Sequence, residues 1–452
     1  MTGFPLIIAF VVAVVLMIVA ISKFKVHPFL SIMGVSLLLA LVAGIPLTTI
    51  PDVIGAGFSG TFSSIGIVII LGAFIGSVLE ATGAALKLAD MVIKLVGKKN
   101  PELAMELMGW VVSIPVFCDS GFVILDPIRR ALVRRTGTSS VAMTVALSTG
   151  LYISHVFIPP TPGPIAAANT LGIGDNLLMV MGLGLLCSIF PLIAGLVYAK
   201  FIGKRVKSAD ELSSSTEVVK TYEELVAEYG KLPSGLNSLA PLLVPVSLMA
   251  LGTIGSMAGL TGGIADLFTF LGKPVIALAV GTILAIIQLG TTKKMDKFYD
   301  LTNDTLKTVG PILFVTAAGG VLGKVISSTT MVEYITTNAG FLMEMGIFFP
   351  FLLAAILKTA QGSSTVAITT TAGIMAPLME TMGLGTPVLA ALTVMAIGAG
   401  AMTVSHANDS YFWVVTNFGK MTPQQGYKTQ TILTLVMGIA SIIGIFVLSL
   451  IF

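Results

Sequence analysis

The sequence predicts an all-α polytopic membrane protein made of two inverted-topology repeats, and three observations support this fold class. Hydrophobic residues make up 55% of the 452 residues and charged residues only 10%, whereas soluble domains are about a quarter charged. Apolar runs long enough to cross a bilayer recur along the whole chain. Polar interruptions of these runs, and the basic residues beside them, follow the same order in both halves.

The apolar runs predict about ten transmembrane helices. Their length and number indicate helices rather than a β-barrel. The first run has no basic residues before it, so we interpret it as a retained helix and not as a signal peptide. The predicted spans are 5–22, 28–46, 61–82, 139–154, 176–200, 237–260, 274–290, 309–327, 386–404 and 429–451.

Two further apolar stretches, at about 103–134 and 346–380, are interrupted near their middle by polar residues. Each arm is about 12–16 residues long, shorter than the ~20 residues that span a bilayer. We therefore predict two re-entrant helical hairpins, with a kinked single crossing as the alternative. A broken helix follows each hairpin, at about 139–172 and 386–418, because prolines or polar residues interrupt the helical pattern there.

Basic residues orient the two halves in the membrane. If the N-terminus starts outside and each hairpin returns to its own side, all six basic clusters become cytoplasmic. The first repeat, 1–202, and the second, 237–452, then enter from opposite faces, and both termini lie outside. The charged segment 203–236 is predicted to be a solvated cytoplasmic linker. The six clusters are Lys23/Lys25, Lys87 to Lys99, Arg129 to Arg135, Lys204 to Lys207, Lys293 to Lys297 and Lys420/Lys428.

Composition and motifs exclude several classes of function. Two cysteines and three histidines form neither a disulfide framework nor a zinc spacing, so we predict no metal and no cofactor. A net charge of +3 is too small to indicate a nucleic-acid partner. The chain has no Gly-x-Ser-x-Gly nucleophile motif, and paired hairpins suit alternate occlusion better than an open channel. A secondary transporter, rather than an enzyme or a channel, is the predicted class.

The tip of the first predicted hairpin carries Asp119. A carboxylate within the membrane is energetically costly, so it is usually paired with another group or has a function. One interpretation is a protonation site or an acceptor for a substrate hydroxyl. The other is an N-cap of the returning helix, a position that aspartate favours. The neighbouring Ser120 is a second candidate for substrate contact.

The tip of the second hairpin is rich in hydroxyl and amide groups. Helix N-termini at such a tip can direct free N–H groups toward an anion, although serine and threonine also mediate ordinary helix packing in lipid. Lys358, in the arm before the tip, either attracts an anionic substrate or extends to the interface. The candidate substrate contacts here are Gln361, Ser363, Ser364 and Thr365.

A Ser-His pair occurs in each broken helix. In the first, His155 precedes a proline-rich segment that contains Thr161, a further candidate contact. His155 either hydrogen-bonds across the helices or binds substrate or proton. In the second, His406 and Asn408 are candidate substrate contacts, and the adjoining Asp409 is a second candidate for proton coupling.

At these residues the chain resembles the gluconate permease family, within the wider ion transporter superfamily. The resemblance covers nearly the whole length and implies a proton-coupled importer of gluconate or a related sugar acid. It also implies the bacterial inner membrane, a homodimer and an elevator-like motion for alternating access. The matching segments are 117–122, 154–164, 360–367 and 405–410.

Two features depart from the commonest pattern of that family. The segment 125–130 is more charged than the apolar run expected there, and Cys118 replaces a more usual aromatic residue. Both flank the predicted pocket, so other hydroxy acids or D-serine are alternative substrates. Sodium coupling is the alternative to proton coupling. In the predicted mechanism Asp119 or Asp409 takes up a proton outside and releases it inside.

Overall fold

The computed structural model describes residues 3–96, 100–114, 116–212, 230, 232–257, 262–330, 334, 344–406 and 409–452. These residues form helices and turns without a β-strand, which confirms the all-α class. The helices of the first half are α1 Phe4–Ser22, α2 Pro28–Ala43, α3 Ile50–Ala81, α4 Ala84–Val96, α5 Pro101–Val112, α6 Cys118–Thr136, α7 Ser140–Phe157, α8 Pro162–Thr170 and α9 Leu177–Ile202.

A short helix follows the first half, and the second half then repeats a similar order of long and short helices. The short helix is α10 Ala209–Leu212. The remaining helices are α11 Gly235–Met257, α12 Gly263–Gly272, α13 Pro274–Thr291, α14 Phe298–Ser327, α15 Phe348–Gln361, α16 Ser364–Met375, α17 Pro387–Met402, α18 Ser410–Phe418, α19 Pro423–Gly426 and α20 Ile432–Ser449.

Several helices are long and apolar enough to cross a membrane. Within the described residues seven meet this test, and α3 with α4, bent by 77° at their junction, would form an eighth span. All ten predicted spans coincide with helices, but α2 and α17 have only 16 residues each, fewer than the ~20 of a full crossing. The chain is thus a multi-pass membrane protein, whereas ten crossings and inverted repeats stay predictions.

Helix breaks occur at the tips of both predicted hairpins. Between α5 and α6 the Ser113 hydroxyl donates to the carbonyl of Val116 at 3.0 Å. Between α15 and α16, Gly362 has a φ of 90°, in the left-handed region that favours glycine and ends helices. Each interruption therefore leaves two short helices in place of one long one.

Both predicted broken helices are also interrupted. After α7, Pro159 and Pro160 have no backbone N–H, so the ladder of helical hydrogen bonds stops before α8 begins. After α17 the chain becomes extended at Thr403 and resumes as a helix at Ser410. Residues 407–408, within this second break, lie outside the described residues.

The first arm of each hairpin packs against the broken helix that follows it. A Cβ atom at Gly150 in α7 would lie 1.9 Å from the carbonyl oxygen of Glu106 in α5. In the second half, a Cβ atom at Gly400 in α17 would lie 2.1 Å from the carbonyl oxygen of Phe351 in α15. Glycine at these positions lets the helix backbones touch in both halves.

A buried cluster of charges joins the two halves. Nε of the fully buried Arg129 lies 2.7 Å from Oδ1 of Asp126. The Arg129 guanidinium also donates to the Ser140 hydroxyl at 2.7 Å and to the carbonyl of Phe418 in the second half at 3.2 Å. Arg130 bonds to the same carboxylate and the same carbonyl. The charged segment after the first tip therefore fixes the end of α18 to α6.

The start of the linker contacts both halves. Oε1 of Glu211 in α10 accepts hydrogen bonds from the Ser139 hydroxyl at 2.8 Å and from the Val141 N–H at 3.1 Å. Its other oxygen lies 2.8 Å from Nζ of Lys207. The Gln425 side chain, from the second half, donates to the carbonyl of Lys207 at 2.8 Å. Glu211 thus caps the N-terminus of α7 and anchors the linker.

The pKa of Glu211 is lower than its ordinary value of 4.5. Burial raises it, but hydrogen bonds from Lys207, the Val141 N–H and the Ser139 hydroxyl favour the ionised form more strongly. Because the folded pKa lies below the unfolded one, the stabilisation is complete above about pH 4.5. It is lost as the pH falls through the folded pKa.

We expect Glu211→Ala to lower the free energy of unfolding by about 1–2 kcal/mol at neutral pH, because the cap of α7 is lost. The difference from the wild type should shrink as the pH falls below 4.5. Unfolding of the wild type and the variant in detergent at several pH values measures both the loss of stability and its dependence on pH. Asp304→Ala, which removes an exposed ion pair with Lys307, is the control and should change stability by less than about 0.5 kcal/mol. Equal losses in both variants would contradict the anchoring role of Glu211.

Candidate functional site

A cavity of about 540 Å³ lies where the two hairpin tips meet the second broken helix. Its opposite wall comes from the start of α2 and the first half of α14. His27 is exposed and lines the cavity, so the cavity opens beside the loop that carries Lys23 and Lys25. The lining includes Phe117, Cys118, Asp119, Tyr152, His155, Thr308, Pro311, Ile312, Val315, Gly362, Ser363, Ser364, Thr365, Val366, Thr369, Asp409, Ser410 and Tyr411.

Three helices, α6, α16 and α18, begin at the wall of this cavity. Their first residues, Cys118, Ser364 and Ser410, all line it. The first N–H groups of a helix have no partner within the helix, and the helix dipole gives this end a partial positive charge. Three N-termini drawn from both halves of the chain therefore make the cavity suited to an anion.

Hydroxyl groups surround the start of α16. The Ser363 hydroxyl oxygen accepts a hydrogen bond from the Val366 N–H at 3.3 Å and so caps the helix. Ser364 and Thr365 line the cavity beside it. Each hydroxyl can both donate and accept, so this turn can bind a ligand that carries hydroxyl groups as well as a carboxylate.

Lys358 and Asp409 form a buried ion pair at the cavity wall. Nζ of Lys358 lies 2.6 Å from Oδ2 of Asp409, and the two side chains are 0% and 6% exposed. The ammonium group also donates to the carbonyl of Gly362 and lies 5.9 Å from the centroid of the Tyr152 ring. Because Lys358 is fully buried, it does not extend to the membrane interface. It connects the second hairpin to the second broken helix.

The two candidate coupling acids have different surroundings. Asp409 accepts hydrogen bonds from the Ser405 hydroxyl at 2.5 Å and from the Tyr411 N–H at 3.0 Å, in addition to the ion pair. Asp119 has no hydrogen bond to Oδ1 from any described residue, and its Oδ2 faces the Cys118 thiol at 3.8 Å. The N-cap position of α6 belongs to Phe117, so Asp119 does not fill the capping role considered for it. Asp119 is thus a cavity carboxyl group that forms no ion pair with any residue the structure describes.

His155 lies in an aromatic wall of the cavity. Its ring centroid is 6.1 Å from that of Phe117 and 6.5 Å from that of Tyr152. Tyr152 in turn contacts Tyr411, with ring centroids 5.0 Å apart. Nδ1 of His155 has no hydrogen-bond partner among the described residues. This nitrogen is enclosed, so contact of His155 with substrate or proton stays a prediction.

Six of the predicted site residues come together in the cavity lining. They come from four separate segments of the chain, which only the folded structure brings side by side. They are Asp119, His155, Ser363, Ser364, Thr365 and Asp409.

The remaining predicted residues have other positions. The Thr161 hydroxyl donates to the carbonyl of Ile158 at 2.6 Å, and Nε2 of His406 lies 2.9 Å from the carbonyl oxygen of Thr359. Neither Thr161 nor His406 lines the cavity, so contact of either with substrate stays a prediction. Ser120 belongs to the first turn of α6 and Gln361 ends α15, while Asn408 lies outside the described residues.

Six polar cavity residues were not predicted as site residues from the sequence: His27, Tyr152, Thr308, Thr369, Ser410 and Tyr411. Tyr152 lies three residues before His155, a spacing that places both on one helix face and that could have identified it. His27 and Thr308 belong to segments distant from the hairpins and carry no comparable signal. Among the described residues, no three His, Cys, Asp or Glu side chains are grouped as a metal site.

Comparison with known proteins gives consistent matches over the full length. The model of a family described as "GntP family permease" matches residues 5–451. A Haemophilus influenzae protein described as an uncharacterized permease is 34% identical over 428 residues, covering 92% of this chain and 86% of that protein. The low-affinity gluconate transporter of Escherichia coli is 31% identical over 453 aligned positions, covering 98% of each chain.

A solved structure has a similar fold. The crystal structure of the Alcanivorax borkumensis YdaH transporter, with its unusual topology, matches with a TM-score of 0.63 over 94% of this chain and 97% of that one. The sequence identity of 15% limits this likeness to the fold.

Proposed function

This chain belongs to the GntP family of permeases, and on that premise we propose that it imports gluconate or a related small hydroxylated carboxylate across the bacterial inner membrane. It is a transporter and not an enzyme, because its full-length relatives are permeases. Among these relatives the gluconate transporter supports a sugar acid as substrate. The observation that carries the proposal is the convergence of three helix N-termini on one cavity.

In the proposed binding mode the substrate carboxylate faces the N-termini of α6, α16 and α18. The hydroxyls of Ser363, Ser364 and Thr365 bind the substrate hydroxyls, together with the predicted contacts Ser120, Gln361 and Asn408. The cavity volume of about 540 Å³ lies in the usual range of small-molecule sites, ~300–1,000 Å³.

We propose that transport is coupled to protons and that Asp119 carries the coupling proton. Asp409 is neutralised by Lys358, so it has no need of a proton to remain buried. Asp119 forms no ion pair among the described residues, and its negative charge would repel a substrate anion in the same cavity. Protonation of Asp119 removes the repulsion, which links proton binding to substrate binding.

The proposed motion is an elevator-like displacement of the hairpins and broken helices past α2, α3 and α14, in a homodimer. The cavity opens beside the loop that carries Lys23 and Lys25, a loop predicted to be cytoplasmic. In this orientation the conformation described above is the one that releases substrate to the inside. The inverted-repeat prediction supports this motion. If each half adopted the conformation of the other, the substrate cavity would open to the opposite side of the membrane.

The proposed function is tested by uptake of labelled gluconate into proteoliposomes. We expect accumulation driven by an inward proton gradient, saturable and inhibited by related sugar acids, without a requirement for sodium. Accumulation that depends on sodium at fixed pH would instead support sodium as the coupling ion. Absence of uptake or exchange with any sugar acid, glycerate or D-serine would contradict the proposed substrate class.

Ser364→Ala should raise the KM for gluconate about tenfold, because one substrate hydrogen bond of roughly 1.4 kcal/mol is lost. Initial uptake rates over a range of gluconate concentrations measure the change. The control is Ser188→Ala, whose hydroxyl donates to the carbonyl of Gly184 away from the cavity. An unchanged KM in Ser364→Ala would remove this residue from the binding site.

A further inference from the structure

A second cavity, of about 430 Å³, lies beside the C-terminal half of α14. We call it the vestibule. Residues of α3, α8, α14 and α16 contribute to its wall, among them Asn169, Gly320, Lys324, Ser327 and Gly373.

The substrate cavity and the vestibule lie toward opposite ends of the same two helices. On α14, residues between 308 and 315 line the cavity and residues between 320 and 327 line the vestibule. On α16, Thr369 lines the cavity and Gly373 lines the vestibule. At 1.5 Å per residue the two spaces are separated by about 6–8 Å along these helices.

The partition between the two spaces is a contact of helix backbones. A Cβ atom at Gly319 in α14 would lie 3.0 Å from the carbonyl oxygen of Thr369 in α16. A Cβ atom at Gly323 would lie 2.5 Å from the carbonyl oxygen of Gly373. These close contacts seal the space between α14 and α16, so the two cavities are separate in this conformation.

Two buried hydroxyl groups without partners lie on α16 near these contacts. Thr370 and Thr371 are 2% and 0% exposed, and neither hydroxyl has a hydrogen-bond partner among the described residues. Both lie on α16 between the last cavity residue and the first vestibule residue. Buried hydroxyls without partners are costly, and that of Thr370, whose backbone lies beside Gly319, is available to a polar ligand that comes within reach.

The vestibule also has a charge suited to an anion. Lys324 is the charged side chain among the described residues that line it, beside the neutral Asn169 and Ser327. A lysine in the last turn of a helix complements the helix dipole. No described residue adds a carboxylate to this wall, so the ammonium group also raises the local concentration of anions.

We propose that the vestibule is an anion-binding subsite at which the carboxylate substrate waits, contacted by Lys324 and Asn169, before the displacement of α16 past α14 opens the substrate cavity to the same side. By the predicted topology this subsite faces the outside, opposite the mouth of the substrate cavity. The inference rests on the proposed function for its substrate. The charge of the vestibule and the side of the membrane that it faces can nevertheless be measured without a transport assay.

The first test measures gluconate uptake kinetics at low ionic strength. Lys324→Gln should raise KM about fivefold with kcat nearly unchanged. The difference in KM from the wild type should shrink at roughly 0.5 M salt, because salt screens the attraction between the ammonium group and the anion. Lys324→Arg should retain the wild-type KM. Lys273→Gln is the matched control, since this exposed lysine is predicted to face the same side but does not line the vestibule. Equal changes in the two glutamine variants, or no change in either, would overturn the subsite.

The second test does not depend on uptake, so it separates failure of this inference from failure of the proposed function. Ser327→Cys, with Cys118 and Cys187 replaced by alanine, is treated from outside with membrane-impermeant anionic and cationic thiosulfonates. The anionic reagent should react about fivefold faster than its cationic counterpart, and adding Lys324→Gln should remove this preference. A cysteine unreactive from outside, or a preference unaffected by Lys324→Gln, would overturn the proposal.

Discussion

Lys358→Met is expected to lower the free energy of unfolding by about 3–5 kcal/mol and to abolish transport. The substitution leaves the carboxylate of Asp409 buried, with 6% of its side chain exposed and without its cation. It also removes the donor to the carbonyl of Gly362 at the second hairpin tip. Thermal or denaturant unfolding in detergent measures the loss, and uptake into proteoliposomes measures transport.

The double variant Lys358→Met/Asp409→Asn should recover much of that stability, because it removes both charges and the asparagine can still cap α18. The two substitutions should therefore be strongly non-additive. Lys94→Met is the control, because its exposed pair with Asp90 should contribute less than about 1 kcal/mol. Simple additivity of the two cavity substitutions would contradict an energetically coupled ion pair.

Asp119→Asn should abolish proton-driven accumulation while retaining exchange of labelled for unlabelled gluconate within about threefold of the wild-type rate. A gradient of two pH units can sustain roughly a hundredfold accumulation with one proton per substrate, since each factor of ten corresponds to about 1.4 kcal/mol. The amide resembles the protonated acid in shape and charge, so substrate can bind without a proton and the gradient no longer drives uptake.

Two assays on the same proteoliposomes separate these outcomes: accumulation under an imposed pH gradient, and counterflow without one. Asp409→Asn is the comparison, because it breaks the ion pair with Lys358 and should impair exchange as well as accumulation. Full accumulation by Asp119→Asn would exclude this residue as the coupling site. Loss of exchange as well would assign it to substrate binding instead.

The helices and their interruptions could be predicted because hydropathy and helix-breaking residues act locally. The ten predicted spans coincide with helices, and the four predicted interruptions appear where proline, glycine and polar residues occur. The extent of α3 was underestimated, since the helix begins at Ile50 rather than near residue 61. Its first turns include small and polar residues that weaken the apolar signal but do not prevent a helix that packs against α14.

The site could be predicted only in part, for a physical reason. Asp119 and the hydroxyls of the second tip were identifiable because polar groups are costly within apolar segments. The pairing of Lys358 with Asp409 joins two segments that no local pattern connects. The contribution of His27 likewise depends on how α2 packs beside α14. These features depend on tertiary packing, which cannot be deduced from the periodicity of a single sequence.

During synthesis, the hydrogen bond between Arg129 and the carbonyl of Phe418 can form only after the second half of the chain has been made. The two residues are 289 positions apart, and ribosomes add about 5–20 residues per second. The arginine is therefore made roughly 15–60 seconds before its acceptor exists. Throughout that interval the newly inserted first half of the chain holds a guanidinium group without its acceptor from the second half. We expect truncated chains that end before residue 237 to be rapidly degraded, and the two halves of the chain to become protease-resistant together.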